Sequence, residues 1–127
     1  MQATLEHTNL TVTDPAATAR WMEEVFGWHI RWQGPAIHGG RSIHVGGDDS
    51  YLALYRPSDA PRPAAARSYD TIGGLNHLAV TVADLDTTEA KVRAAGFTPH
   101  SHADYEPGRR FYFHDADGVE YEVVSYA

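Results

Sequence analysis

No cysteine occurs among the 127 residues. This absence excludes disulfides, thiolate metal ligands and cysteine nucleophiles together, while leaving the compartment open. Long apolar runs are missing too; nothing approaches the ~20 residues of a membrane-spanning helix. Met1 to Thr8 lacks the basic-then-apolar pattern of a secretory leader. Positive charge is scarce, with 10 Lys and Arg against 17 Asp and Glu and a net charge of −7. Such a chain is poorly suited to hold nucleic acid or an anionic membrane by bulk electrostatics. The expectation is a cytoplasmic enzyme or binding protein.

What is present suits a folded protein. The chain is 43% hydrophobic and 21% charged, enough for one compact domain or two very small fused modules. Its eight histidines make metal ligation worth testing.

The chain repeats itself. Residues 5–14 read LEHTNLTVTD and residues 75–84 read LNHLAVTVAD. At an offset of 70, Leu5, His7, Val12 and Asp14 meet Leu75, His77, Val82 and Asp84. Alternation predicts a half-buried strand in each copy. His7, Asn9 and Thr11 share one face, as do His77, Ala79 and Thr81. Each strand leads into a helix. Asp14 is the predicted N-cap with Pro15 at the first helical position, and Asp84 or Asp86 caps the second. The predicted apolar stripes are Ala16, Ala17, Ala19, Trp21, Met22, Val25 and Phe26, then Ala90, Val92, Ala94 and Ala95. Gly27 and Gly96 stop the helices.

Three short strands follow each helix: Trp28 to Trp32, Arg41 to Val45 and Tyr51 to Tyr55, then Phe97 to His102, Arg110 to His114 and Glu120 to Val124. Beyond the helices the offset becomes 69, so Arg41 meets Arg110 and Ala53 meets Glu122. Segments 33–40 and 100–109 read as loops. The stretch 56–73, rich in Pro, Ala and Arg, reads as a linker. The organisation is a βαβββ module over 1–55, the linker, and a second βαβββ module over 74–127, together one structural domain.

That repeat, with His on each first strand and a D-x-D-G-x-x-x-E ending from Asp115 to Glu122, resembles the vicinal oxygen chelate superfamily. The group includes glyoxalase I, extradiol dioxygenases, fosfomycin-resistance thiol transferases and bleomycin-binding proteins. The resemblance covers nearly the whole chain. It implies an α+β fold in which paired βαβββ modules form an open, eight-stranded mixed-sheet cup. Fold alone does not assign function, because this scaffold hosts several chemistries.

In metal-using members the ligands come from matching positions of the two modules, which here are His7, His77, Ala53 and Glu122. Glyoxalase I uses a carboxylate where this chain has Ala53, which puts that reaction in doubt. His7, His77 and Glu122 remain. Taken singly, each histidine reads as an ordinary strand residue, and Glu122 as the partner of Arg110 or Arg41. Taken together they form a set of two imidazoles and one carboxylate. That set binds Fe²⁺, Mn²⁺, Zn²⁺ or Ni²⁺ and leaves open positions for a chelating substrate. Tyr112, ten residues before Glu122, matches a pocket tyrosine of the transferases and dioxygenases and is the candidate donor to an oxyanion. Arg110, on the face of Tyr112, is a candidate for an anionic substrate group. Asn9 shares the face of His7 and is a substrate-binding candidate. His102 is a candidate acid–base group, with a solvent-exposed loop histidine as the alternative. His44 has no assigned role unless a shift in strand register brings it to the pocket.

The leading expectation is a divalent-metal-dependent enzyme on a small oxygen-chelating substrate, ring-cleaving dioxygenase-like or lyase-like. The alternatives are an antibiotic-sequestering protein of the bleomycin-resistance type and a fosfomycin-type thiol transferase. The resemblance also implies a homodimer.

Overall fold

Asp14 starts the first helix by accepting the backbone N–H of Ala17 at 3.2 Å. Asp84 starts the second by accepting from the N–H and hydroxyl of Thr87 at 3.0 and 2.8 Å. These bonds satisfy helix donors that have no partner within the helix. The computed structural model describes residues 1–127. It divides into two compact units, Met1–Arg62 and Pro63–Ala127.

The first unit contains β1 (His7–Thr11), α1 (Pro15–Phe26), β2 (His29–Pro35), β3 (Arg41–Gly46) and β4 (Tyr51–Arg56). Its sheet has the order β1-β4-β3-β2, with β1 parallel to β4 and the other pairs antiparallel. The second unit contains β5 (Leu78–Thr81), α2 (Leu85–Ala94), β6 (His100–Tyr105), β7 (Gly108–His114) and β8 (Glu120–Ser125). Its sheet repeats the order as β5-β8-β7-β6. Two open, mixed, four-stranded βαβββ sheets are therefore present, as the repeat predicts. Neither helix is long and apolar enough to cross a membrane.

The segment expected as loop at 100–109 is mostly strand. β6 starts three residues later than predicted and pairs with β7 as a hairpin through Tyr105↔Gly108. Likewise β2 extends to Pro35, and a short 3-10 turn at Ile37–Gly39 follows. Cross-strand pairing overrides the Pro and Gly signals that read as loop in the sequence.

The helix stripes also differ from the prediction. In α1 the buried residues are Thr18, Ala19, Trp21, Met22 and Val25, whereas Ala16 and Ala17 are exposed. In α2 they are Leu85, Thr88 and Val92. Thr88 is buried without cost to its hydroxyl, which donates to the Asp84 carbonyl at 2.9 Å. The alternating residues of β7 and β8 complete the core of the second unit, with Phe111, Phe113, Tyr121 and Val123 fully buried. Each such side chain contributes about 1.5–3 kcal/mol through removal of apolar surface from water.

Register corrects one correspondence between the modules. Ser42 pairs with Tyr55, two residues beyond Ala53, and Arg110 pairs with Val124, two beyond Glu122. Ser42, not Arg41, is thus the counterpart of Arg110. By the same pairing His44 lies opposite Ala53 as Tyr112 lies opposite Glu122. The β7–β8 connection is one residue longer than its counterpart, which shifts the offset.

Candidate metal centre

The side chains of the second unit that converge are brought together by strand pairing. β5 and β8 run parallel with Ala79 opposite Glu122, and His77 immediately precedes β5. β7 lies on the other side of β8 with Tyr112 opposite Glu122. His77 and Tyr112 therefore flank the same carboxylate. His77 Nε2 is 3.1 Å from Glu122 Oε1. The other oxygen, Oε2, accepts from Arg110 Nη1 at 2.9 Å. The rings of His77 and Tyr112 meet edge to face, with centroids 5.6 Å apart.

Glu122 is buried, and a lone carboxylate there would be costly to desolvate. Arg110 supplies the compensating charge. The partner weighed against metal binding in the sequence is therefore present on one carboxylate oxygen. Arg110 also packs its guanidinium over the Tyr105 ring, 5.1 Å from the centroid. Its Nε is buried without a hydrogen-bond partner. Burial acts to lower the Arg110 pKa, yet the hydrogen bond to Glu122 and nearby phenols carry it above its ordinary value. Burial, followed by the Glu122 charge, raises the Tyr112 phenol. Tyr112 stays a proton donor at neutral pH.

Two further residues belong to this polar face. Tyr69, within the short turn Ser68–Asp70, donates its hydroxyl to Glu120 Oε1 at 2.7 Å and lies 3.2 Å from His77 Nδ1. Glu120 sits two residues before Glu122, on the same face of β8. The predicted linker hides Tyr69, because nothing in a Pro- and Ala-rich stretch signals which residue folds back. Glu120 was readable from strand period alone.

The first unit holds the other predicted residues. His7 and Asn9 lie on the exposed face of β1, with Asn9 opposite Ala53. His7 Nδ1 is 2.8 Å from Glu6 Oε1. That hydrogen bond is the main cause of the lowered Glu6 pKa. The His7 ring stacks on Tyr51 at 4.9 Å, Tyr51 on His44 at 4.6 Å, and Trp32 lies 5.0 Å from His44. Arg31 caps the Tyr51 ring at 4.6 Å. Desolvation, then the charges of His7 and Arg31, lowers the His44 pKa. His44 thus joins the face of His7.

His102 does not join Tyr112. Its Nε2 is 3.0 Å from Glu89 Oε1 on α2, and its ring packs at 5.9 Å from Phe111. Phe111 alternates with Tyr112 and faces the opposite side of β7. The cause is an irregularity in β6 between His100 and Ala103, where Ser101 adopts a φ of 56°. It places His100 opposite Tyr112 and turns His102 toward the helix.

The profile of the Glyoxalase/Bleomycin resistance protein/Dioxygenase superfamily matches residues 4–123. The chain belongs to this superfamily. Solved structures share the fold of this superfamily member over nearly its full length. A glyoxalase/bleomycin resistance protein/dioxygenase domain from a Frankia species is 22% identical, with a TM-score of 0.81, over 98% of each chain. An antibiotic binding protein from a Streptomyces species is 21% identical, with a TM-score of 0.75, over 99% of this chain and 98% of that one. A fosfomycin resistance protein from Listeria monocytogenes, solved with Mn(II) and sulfate, is 16% identical, with a TM-score of 0.71, over 98% of this chain and 93% of that one. No curated protein matches the chain.

Proposed function

We propose that this superfamily member is a divalent-metal-dependent enzyme acting on a small oxygen-chelating substrate, with His7, His77 and Glu122 as the metal ligands. The observation that carries the reading is the 3.1 Å separation of His77 Nε2 and Glu122 Oε1. Ligands at adjacent octahedral positions, each about 2.1 Å from a divalent ion, lie roughly 3.0 Å apart. The donor chemistry also fits, because imidazole and carboxylate together suit Fe²⁺, Mn²⁺, Zn²⁺ and Ni²⁺. A bound ion supplies Lewis-acid polarisation of a chelated substrate oxygen.

The chain's own residues then have distinct tasks. Arg110 holds Glu122 Oε2, so Glu122 presents Oε1 alone, an orienting role of the kind that tunes metal ligands. This replaces a direct hold on an anionic substrate as the first role of Arg110. Tyr112, kept protonated, donates a hydrogen bond to the substrate oxygen that gains charge. Glu6 engages His7 Nδ1 and leaves Nε2 as the ligating nitrogen. Asn9, on the face of His7, orients the substrate. His102 takes no part. Within this reading the reaction is ring-cleaving dioxygenase-like or lyase-like, the protein is a homodimer, and it resides in the cytoplasm. A fosfomycin-type thiol transferase would use the same three ligands.

A second reading rests on the Trp32–His44–Tyr51–His7 array. Such a run of flat rings suits a planar guest, as expected of a sequestering protein like the Streptomyces antibiotic-binding relative. Elemental analysis separates the two readings. Untagged protein purified without chelator should carry a divalent ion that is lost from the His77→Ala/Glu122→Ala variant. A parent that retains no more Fe²⁺, Mn²⁺, Zn²⁺ or Ni²⁺ than this variant after reloading would reject the metal enzyme and favour sequestration.

A further inference from the structure

We propose that the second unit carries another divalent-metal site, formed by His100, His114 and Glu120 and suited to a zinc-class ion. It is distinct in its ligands from the His7, His77 and Glu122 set and stands without that reading.

The three residues come from three adjacent strands. His114 on β7 lies opposite Glu120 on β8, and His100 on β6 lies opposite Tyr112, two residues before His114. All three side chains thus share the face that carries Tyr112. One potential ligand atom from each lies within 4.8 Å of the others. His100 Nε2 is 3.0 Å from His114 Nδ1, and their rings are nearly parallel, 18° apart. Glu120 Oε2 is 3.4 Å from His114 Nε2.

The hydrogen-bond pattern around the cluster suits ligation. In the tautomer with its proton on Nδ1, donated to Ser101 Oγ at 2.9 Å, His100 has its Nε2 lone pair directed at His114. His114 meets His100 through Nδ1 and Glu120 through Nε2; it offers an ion one of these nitrogens, so ligation by all three residues replaces one of the two contacts. Glu120 has one oxygen taken by the Tyr69 hydroxyl, which leaves Oε2 as the donor. Tyr69 is a positioning residue here, holding the carboxylate rather than touching the ion. The Glu120 side chain is only 16% exposed while that of His114 is 48% exposed. The carboxylate is shielded from water and the histidine gives an ion a way in.

Two imidazoles and one carboxylate form a borderline donor set that favours Zn²⁺, Co²⁺ and Ni²⁺ over Mg²⁺ or Ca²⁺. Three protein ligands leave at least one position open, the arrangement of an exchangeable rather than a closed structural site.

Metal-stripped full-length protein would be titrated with Zn²⁺ against a chromophoric chelator, and with Co²⁺ followed by its visible absorption. The variants are His100→Ala/His114→Ala, Glu120→Gln, Tyr69→Phe and His77→Ala/Glu122→Ala. The expected result is one equivalent that disappears in His100→Ala/His114→Ala and persists in His77→Ala/Glu122→Ala. Tyr69→Phe should weaken that equivalent about tenfold, the usual scale for loss of an outer hydrogen bond. If the His77 and Glu122 site fails while this one holds, the parent binds one equivalent insensitive to His77→Ala/Glu122→Ala. An unchanged stoichiometry in His100→Ala/His114→Ala overturns the proposal. On the unmutated protein, Zn²⁺ should shift the ring proton resonances of His100 and His114, and unmoved resonances overturn it independently of any folding defect.

Discussion

Tyr121 donates its hydroxyl to Asp115 Oδ2 at 3.0 Å, tying the turn before β8 to the core beneath it. Asp115 Oδ1 accepts the backbone N–H groups of Asp117 and Val119, each at 3.0 Å. The D-x-D-G segment is therefore a hydrogen-bonded turn whose first carboxylate points inward. Through β8 this turn sets where Glu120 and Glu122 stand.

Tyr121→Phe should destabilise the protein by about 1–2 kcal/mol, the cost of leaving one buried acceptor short of a donor. Urea unfolding measures it. A midpoint equal to that of the parent would show that the buried bond contributes nothing.

Burial raises the Asp115 pKa above its ordinary 3.8, against the opposing effect of its hydrogen bonds with Val119, Tyr121 and Asp117. A carboxyl whose folded pKa is raised binds its proton more tightly in the native state. Its contribution is fully present below the unfolded value and is lost as pH rises through the folded one. Relative to Asp115→Asn, the parent should therefore lose stability as pH climbs from about 3.8 toward neutrality. Chemical denaturation across that range reads the difference. A parent that gains on the variant with rising pH would reverse the sign and reject the argument.

His102→Ala should leave metal content unchanged, because its Nε2 meets Glu89 on the helix-covered side of β7. Once a substrate is known, kcat should also stay within about threefold of the parent, far from the 10²–10⁴-fold effect of losing a general acid or base. Loss of bound metal or a rate drop of that size would place His102 in the site after all.

The repeat, the strand and helix order and the Asp14 cap were legible from local signals, whereas the second cap was legible only as Asp84 or Asp86. Alternation, capping chemistry and turn residues act over a few neighbours, so one stretch of chain carries them. The Arg110–Glu122 pair was legible only as one of two options, since Arg41 competed for it. Strand pairing decided between them, within the second unit. His102 and His100 differ by two residues, and no local rule tells which one faces Tyr112. One irregular residue pair in β6 settled that. Tyr69 lay in a stretch read as linker, and only its fold-back onto Glu120 gave it a place. The amino-acid sequence by itself determined the superfamily architecture, because periodicity and short motifs encode it. Tertiary structure alone decided which polar groups meet, because those contacts join strands distant along the chain and depend on register to within one residue.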